Sequence, residues 1–123
     1  MRNITLKIGL ATTLIIGTQS IASSTGVQLL EQNRCMTCHN IMGKKVAPAF
    51  MGTAKKNTKW YGDKAQEMMI KSIKNGSKGK YKKFADTQMP AYPHISDEDL
   101  KTITSWILEE YSKKRALKNQ SKM

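Results

Sequence analysis

The chain of 123 residues is long enough for one domain and too short for two. Hydrophobic residues make up 39% and charged residues 24%, which is typical of a globular protein and excludes a disordered tail. Lys and Arg number 21 against 9 Asp and Glu, a net charge of +12 that favours acidic partners, and two Cys are too few for a disulfide scaffold.

The N-terminal segment, residues 1–22, is typical of an export signal. Arg2 and Lys7 give it a positive start, residues 8–17 are mostly apolar, and small residues occupy the positions that a signal peptidase recognises. We predict cleavage after Ala22 and export through the Sec pathway to the periplasm. An uncleaved membrane anchor is the alternative, because the segment between Lys7 and Glu31 contains no charge. Hydroxyl and amide side chains lower the hydrophobicity of this segment, however, which favours a cleaved signal.

Three helical patterns follow, with no convincing strand, and they predict an all-α fold. The first begins at Gly26 and leads into Cys35, the second runs from Asp63 to Asn75, and the last begins at the N-cap residue Ser96. Apolar residues recur at helical spacing in each: Val27 and Leu30; Ala65, Met69, Ile70 and Ile73; Leu100, Ile103, Ile107 and Tyr111, with Trp106 beside them. Elsewhere we expect loops, with a short helical turn beginning at Pro48.

Charge is unevenly spread along the mature chain, whose net charge after cleavage is +10. Residues 44–83 carry +10, residues 84–112 carry −5, and residues 113–123 carry +5. We therefore predict a functional domain over 23–112 and a basic C-terminal tail over 113–123, frayed from Lys118 onward. The one-sided charge predicts a docking face in residues 44–83, in which the tail contributes less.

The chemistry is concentrated in Cys35-Met36-Thr37-Cys38-His39, the C-x-x-C-H pattern of c-type haem attachment. Two thiols three positions apart at a helix end can each add to one vinyl group of a porphyrin. His39 then lies beneath the iron as its proximal ligand. A buried haem would also supply the apolar bulk that three helices and long loops lack.

Three other interpretations of the two cysteines are possible. A redox dithiol shares the C-x-x-C spacing but belongs to a βαβ context that is absent from this sequence. A structural disulfide would close a trivially short loop. A zinc site would need a fourth ligand besides Cys35, Cys38 and His39, for which His94 is the available candidate.

A sixth ligand for a haem iron has to come from elsewhere in the chain. Met89 lies in a loop before the last helix, and the following Pro90 stiffens that loop, so that a thioether is held against an iron. Core packing is the usual role of such a methionine. We expect Met89 to bind the iron, with His94 as the alternative ligand.

Taken together, these motifs resemble the small bacterial class I cytochromes c, the monohaem electron carriers of the periplasm. The resemblance covers essentially the whole mature chain. It rests on Cys35–His39, Pro48-Ala49-Phe50, Ile73-Lys74-Asn75-Gly76-Ser77, Met89-Pro90, and Ser96-Asp97-Glu98 leading to Trp106-Ile107.

The resemblance implies about four helices wrapped around one covalently bound haem c, attached through Cys35 and Cys38. It implies His39 and Met89 as axial ligands, with the backbone carbonyl of Pro48 holding the His39 ring.

The resemblance further implies that Gly26 and Leu30 pack on Trp106. The sequence departs from the family at two places. Ala47 stands where the family usually has Gly, and Tyr81 stands near the place of a Trp that contacts a haem propionate.

We therefore interpret the protein as a periplasmic one-electron carrier and not an enzyme, because two axial ligands leave no open position on the iron. Its expected partners are acidic redox proteins, periplasmic or membrane-bound. We expect a monomer with no stable membrane insertion and no nucleic-acid binding.

Other functions remain open at this stage. The domain could be the electron-transfer subunit of a larger periplasmic dehydrogenase or reductase. It could bind a gas or peroxide if Met89 does not bind the iron. The positive charge alone suggests a protein that binds nucleic acid or a membrane surface. The export signal argues against nucleic-acid binding, and the sequence predicts no basic amphipathic helix that would bind a membrane.

Overall fold

The computed structural model describes residues 25–123, so the predicted export signal over 1–22 lies outside the described residues. Four α-helices make up most of this part, and the prediction of an all-α fold is confirmed. They are α1 (Gly26–Gln32), α2 (Phe50–Tyr61), α3 (Ala65–Asn75) and α4 (Asp97–Gln120). Two strands that the sequence did not predict, β1 (Ser77–Lys78) and β2 (Gln88–Met89), pair antiparallel. Three 3₁₀ turns lie at Cys35–Thr37, Gly62–Lys64 and Lys82–Phe84.

The first and last helices pack against each other. α1 begins with a capping box in which the Thr25 hydroxyl accepts a hydrogen bond from the Gln28 amide while the Gln28 side chain accepts one from the Thr25 amide. Gly26 then lies directly against the Trp106 side chain, with no room for a side chain of its own. This close approach is the α1–α4 contact that the resemblance implies for Gly26.

One cluster of buried apolar side chains joins all four helices. Trp106 and Tyr111 of α4 pack against its edge. The members of the cluster are Leu29, Leu30, Phe50, Met51, Ala54, Met69, Ile103 and Ile107.

α2 is the main departure from the sequence prediction, which placed only a short turn beginning at Pro48. Pro48 precedes the helix, which begins at Phe50 and continues for 12 residues. Its buried face includes the large apolar Phe50, the small Ala54 and the polar Asn57. That mixture hides the apolar periodicity from which a helix is predicted.

α3 corresponds to the helix predicted from Asp63 to Asn75, except that its first turn is 3₁₀ and the α-helix begins at Ala65. Gly76, at φ +73°, ends it in a conformation that favours glycine. The chain then enters β1 and turns back toward β2.

α4 begins as predicted, with the Ser96 hydroxyl accepting a hydrogen bond from the Asp99 amide at 3.1 Å. It continues for 24 residues to Gln120, so the prediction of a frayed tail is wrong for residues 118–120, and the predicted boundary at 112 falls inside a helix. Lys, Arg, Ala, Leu and Gln are strong helix formers, which explains the extension. No helix within residues 25–123 is both long and apolar enough to cross a bilayer.

Candidate functional site

The attachment motif lies on a sharp turn at the end of α1. Arg34 adopts the left-handed conformation, at φ +57°, and is the one non-glycine residue with positive φ in the described part of the chain. It stops the helix and starts the 3₁₀ turn, after which the His39 amide donates a hydrogen bond to the Cys35 carbonyl at 3.0 Å. Strained backbone of this kind is concentrated at functional sites.

Cys35 and Cys38 both lie on the wall of one cleft. Cys35 is half-buried, and burial raises the pKa of its thiol, while a backbone hydrogen bond opposes this. Cys38 is exposed at the mouth of the cleft. The spacing of the motif therefore brings both thiols to the same cavity.

The ring of His39 is fixed by two contacts. Its Nδ1 lies 2.6 Å from the carbonyl oxygen of Pro48, and the ring stacks on Phe50 with centroids 4.8 Å apart and planes at 20°. Since a carbonyl only accepts, Nδ1 carries the proton and Nε2 has the free lone pair. Burial lowers the pKa of His39, more than the Pro48 contact raises it, which favours the neutral imidazole.

Ala47, the departure from the family pattern, fits this loop without backbone strain. Its amide donates to the Cys38 carbonyl at 3.0 Å, and its φ is not in the left-handed region that requires glycine. The peptide before Pro48 is therefore anchored to the attachment turn itself.

Met89 lies on β2, on the wall of the same cleft. Its position depends on the end of α3. β2 pairs with β1 through Met89 and Ser77, and the Tyr92 amide donates to the Ile73 carbonyl at 2.9 Å. A Cβ on Gly76 would lie 2.6 Å from the Met89 carbonyl oxygen, so glycine alone permits this approach. This role of Gly76 is not apparent from the sequence alone.

The cleft passes between the helices and is lined mostly by apolar side chains. Its cavity volume is about 190 Å³. On the same measure, a cavity that holds a single water molecule needs about 10–15 Å³. It therefore accommodates a group many times larger than water. Its apolar wall includes Leu30, Phe50, Met69, Ile73, Ile103 and Ile107.

The charged residues of the wall are all basic. Arg34, Lys78 and Lys80 line the cleft, and no Asp or Glu among residues 25–123 does. An apolar cleft with this charge suits a flat apolar group that carries carboxylates. Haem is such a group, and two thiols, an imidazole and a thioether on the wall match its covalent and axial chemistry. The residues present therefore fit a haem c.

A polar network that the sequence analysis missed borders the cleft around Asn57, which is 1% exposed. Its amide nitrogen donates to the Thr53 carbonyl at 2.8 Å and to the Tyr81 hydroxyl at 2.9 Å, and its oxygen accepts from Lys80 at 2.9 Å. Lys80 also donates to Ser72 at 2.9 Å. Burial lowers the pKa of Lys80, and burial also raises the pKa of Tyr81, against the Asn57 contact.

The cleft brings together all five residues that the sequence assigns to the site: Cys35, Cys38, His39, Pro48 and Met89. Tyr81 lies on its wall as well, whereas His94 does not; its ring lies 5.9 Å from that of Tyr92. Within residues 25–123 no group of three or more His, Cys, Asp or Glu side chains is placed to hold a metal ion.

Comparison with known proteins gives one consistent result. The family model for cytochrome c matches residues 23–110. Cytochrome c-551 of Ectopseudomonas mendocina is 33% identical over 85 residues, 69% of this chain and 96% of that protein. Cytochrome c-552 of Hydrogenobacter thermophilus is 35% identical over 82 residues, 66% of this chain and 76% of that protein. The crystal structure of Nitrosomonas europaea cytochrome c552 matches with a TM-score of 0.59 and 33% identity, covering 67% of this chain and 95% of that one.

Proposed function

The chain belongs to the cytochrome c family, and from this premise we propose that it is a periplasmic one-electron carrier whose iron is bound axially by His39 and Met89. Proteins of this family carry electrons through a covalently attached haem c, and Cys35 and Cys38 are the attachment pair. When bound, the haem supplies an iron that changes between ferric and ferrous by one electron.

The observation that carries the proposal is the shared cleft. His39 presents Nε2 as its free nitrogen because Nδ1 donates to Pro48, and this contact also makes the imidazole a stronger ligand. Met89 supplies a soft thioether, which favours the ferrous form and raises the reduction potential. The apolar wall excludes water, and an iron held by both His39 and Met89 would have no position left for a substrate.

The periplasmic location rests on the export signal predicted for residues 1–22. A carrier of this kind meets its partners transiently, through a small interface that releases quickly. We propose that it acts as a monomer and exchanges electrons with acidic redox proteins.

A docking loop, residues 42–46, is suited to that contact. Met42 and Val46 are 60% and 56% exposed, and Val46 also lines the cleft. Lys44 and Lys45 lie between them, and the Lys45 ammonium donates to the carbonyl of Met36, inside the attachment motif, at 3.3 Å. Exposed apolar side chains among cations at the mouth of the cleft favour an acidic partner.

Spectroelectrochemical titration of the mature holoprotein tests the proposal. We expect a single wave of one electron and, in the ferric form, the weak near-infrared band of a sulfur–iron bond. Met89→Ala should remove the band and lower the potential, whereas Met68→Ala, on α3 and away from the cleft wall, should change neither. A wild-type spectrum of bis-histidine type would contradict the assignment and transfer the ligand role to His94.

Covalent attachment has its own test. Haem staining on denaturing gels should mark the mature protein, and Cys35→Ala or Cys38→Ala should weaken or abolish it. Haem that acidified organic solvent extracts freely from the wild type would contradict attachment.

A further inference from the structure

No side chain in the last third of α4 is buried against the rest of residues 25–123. The buried residues of the helix end at Ile107, and every residue from Ser112 to Met123 is exposed. Residues 112–120 nevertheless continue the helix for about 14 Å. The family match ends at residue 110, so this segment lies beyond what the family model describes. We refer to residues 112–122 as the α4 extension.

The α4 extension carries five cations and no acid. Lys113 pairs with Glu110 at 2.9 Å, and the other four have no carboxylate partner among residues 25–123. Lys114 and Lys118, four residues apart, share one face of the helix, and Lys122 follows at the same spacing. Like charges at this spacing repel each other, and an acidic surface would relieve that repulsion.

One contact places the start of this row beside the docking loop. The ammonium of Lys114 lies 2.9 Å from the sulfur of Met42, although the two residues are 72 positions apart. The row of lysines therefore begins at the exposed apolar side chains beside the mouth of the cleft. From there it leads away along the helix, so the two positive surfaces are continuous.

We propose that the α4 extension and the docking loop form one surface that receives an acidic redox protein. This inference rests on the proposed function, and it reverses the expectation that charges of the C-terminal tail contribute little. A lipid surface is less suitable as the occupant. Helices that lie on membranes need an apolar face, and Leu117 is the one large apolar side chain among residues 112–122.

The test compares two double charge reversals of the holoprotein. Lys114→Glu/Lys118→Glu changes the α4 extension, and Lys71→Glu/Lys101→Glu makes the same change of net charge elsewhere. Lys71 and Lys101 are exposed, and Lys101 lies about 140° around α4 from Lys114. The measurement is the second-order rate of electron transfer from a reduced small copper protein of net negative charge, as a function of ionic strength, with the midpoint potential recorded for each variant.

We expect Lys114→Glu/Lys118→Glu to slow the reaction at low salt by about tenfold relative to the control variant and to flatten its salt dependence, at an unchanged potential. Equal rates for the two variants would overturn the inference while leaving the proposed function intact. A wild type with no one-electron wave, or with no electron transfer to or from the copper protein, would instead contradict the proposed function.

Sedimentation with vesicles of phosphatidylserine and phosphatidylcholine tests whether the α4 extension binds a lipid surface instead. Vesicle binding that Lys114→Glu/Lys118→Glu abolishes, together with electron-transfer rates equal to those of the control variant, would assign the extension to a membrane and overturn the inference.

Discussion

At the scale of single residues, Asn57 holds the polar side of the cleft together. It is 1% exposed and bonds to α2 itself, to Tyr81 and to Lys80. We expect Asn57→Ala to lower the free energy of unfolding by about 1–3 kcal/mol, because it leaves buried polar groups without partners. Urea denaturation of the holoprotein measures this. The exposed residue Asn119 provides the control, since Asn119→Ala should cost less than about 0.5 kcal/mol, and equal costs would contradict the role of Asn57.

Lys80 is a half-buried cation on the wall of the cleft, to which the described part of the chain contributes no acidic side chain. A positive charge near the iron favours the ferrous form, which is the less positive of the two. Lys80→Met should therefore lower the midpoint potential by roughly tens of millivolts. Lys64→Met removes an exposed charge away from the cleft wall and should shift it less. A potential that rises or stays constant in Lys80→Met would show that this cation does not act on the iron.

At the scale of elements, the link between α3 and β2 positions Met89. Gly76→Ala would place a methyl group 2.6 Å from the Met89 carbonyl oxygen and strain a residue at φ +73°. We expect it to destabilise the protein by at least about 1–3 kcal/mol and to weaken the near-infrared sulfur–iron band. Gly79 separates backbone strain from the clash with Met89. It also has positive φ, +71°, but no other atom of residues 25–123 lies within 4 Å of the position that its Cβ would take.

Gly79→Ala should therefore cost stability and leave the band unchanged. A band that survives Gly76→Ala at full intensity would mean that Met89 does not depend on this contact.

The elements that sequence predicted well are those specified locally. The attachment motif and the Met89-Pro90 pair place chemistry at fixed spacing, and α4 begins at a capping residue, so neighbouring residues suffice to identify them. Asn57 and Lys80 are different. They are 23 residues apart and meet only when the loop after β1 folds onto α2, so no local pattern indicates them.

The lengths of two helices, α2 and α4, differ from those predicted. The buried face of α2 includes Asn57 and the small Ala54, which masks its periodicity. The end of α4 has no apolar stripe, and it remains helical through residue propensity. In both cases the apolar pattern does not predict the length of the helix. The face of α2 packs partly against polar groups, and the end of α4 does not pack against the apolar core.

At the scale of the molecule, the cleft lies inside the core. Leu30, Phe50 and Met69 belong both to the buried cluster and to the wall of the cleft. Without its occupant, this wall would face water. We therefore expect Cys35→Ala/Cys38→Ala, which cannot attach haem, to lose helicity by circular dichroism and to unfold at a lower temperature and less cooperatively than the holoprotein. If Cys35→Ala/Cys38→Ala unfolds as cooperatively as the holoprotein and at the same temperature, the haem does not complete the core.

The central claim, an electron carrier whose iron is closed on both sides, is tested most directly by the ferrous spectrum under carbon monoxide at neutral pH. On the proposal that His39 and Met89 both bind the iron, no position is open, so the spectrum of the wild type should not change, while that of Met89→Ala should shift as the gas binds. A wild-type spectrum that shifts at once, to the same extent as that of Met89→Ala, would show an open iron. It would contradict the account in favour of a protein that binds a gas or peroxide.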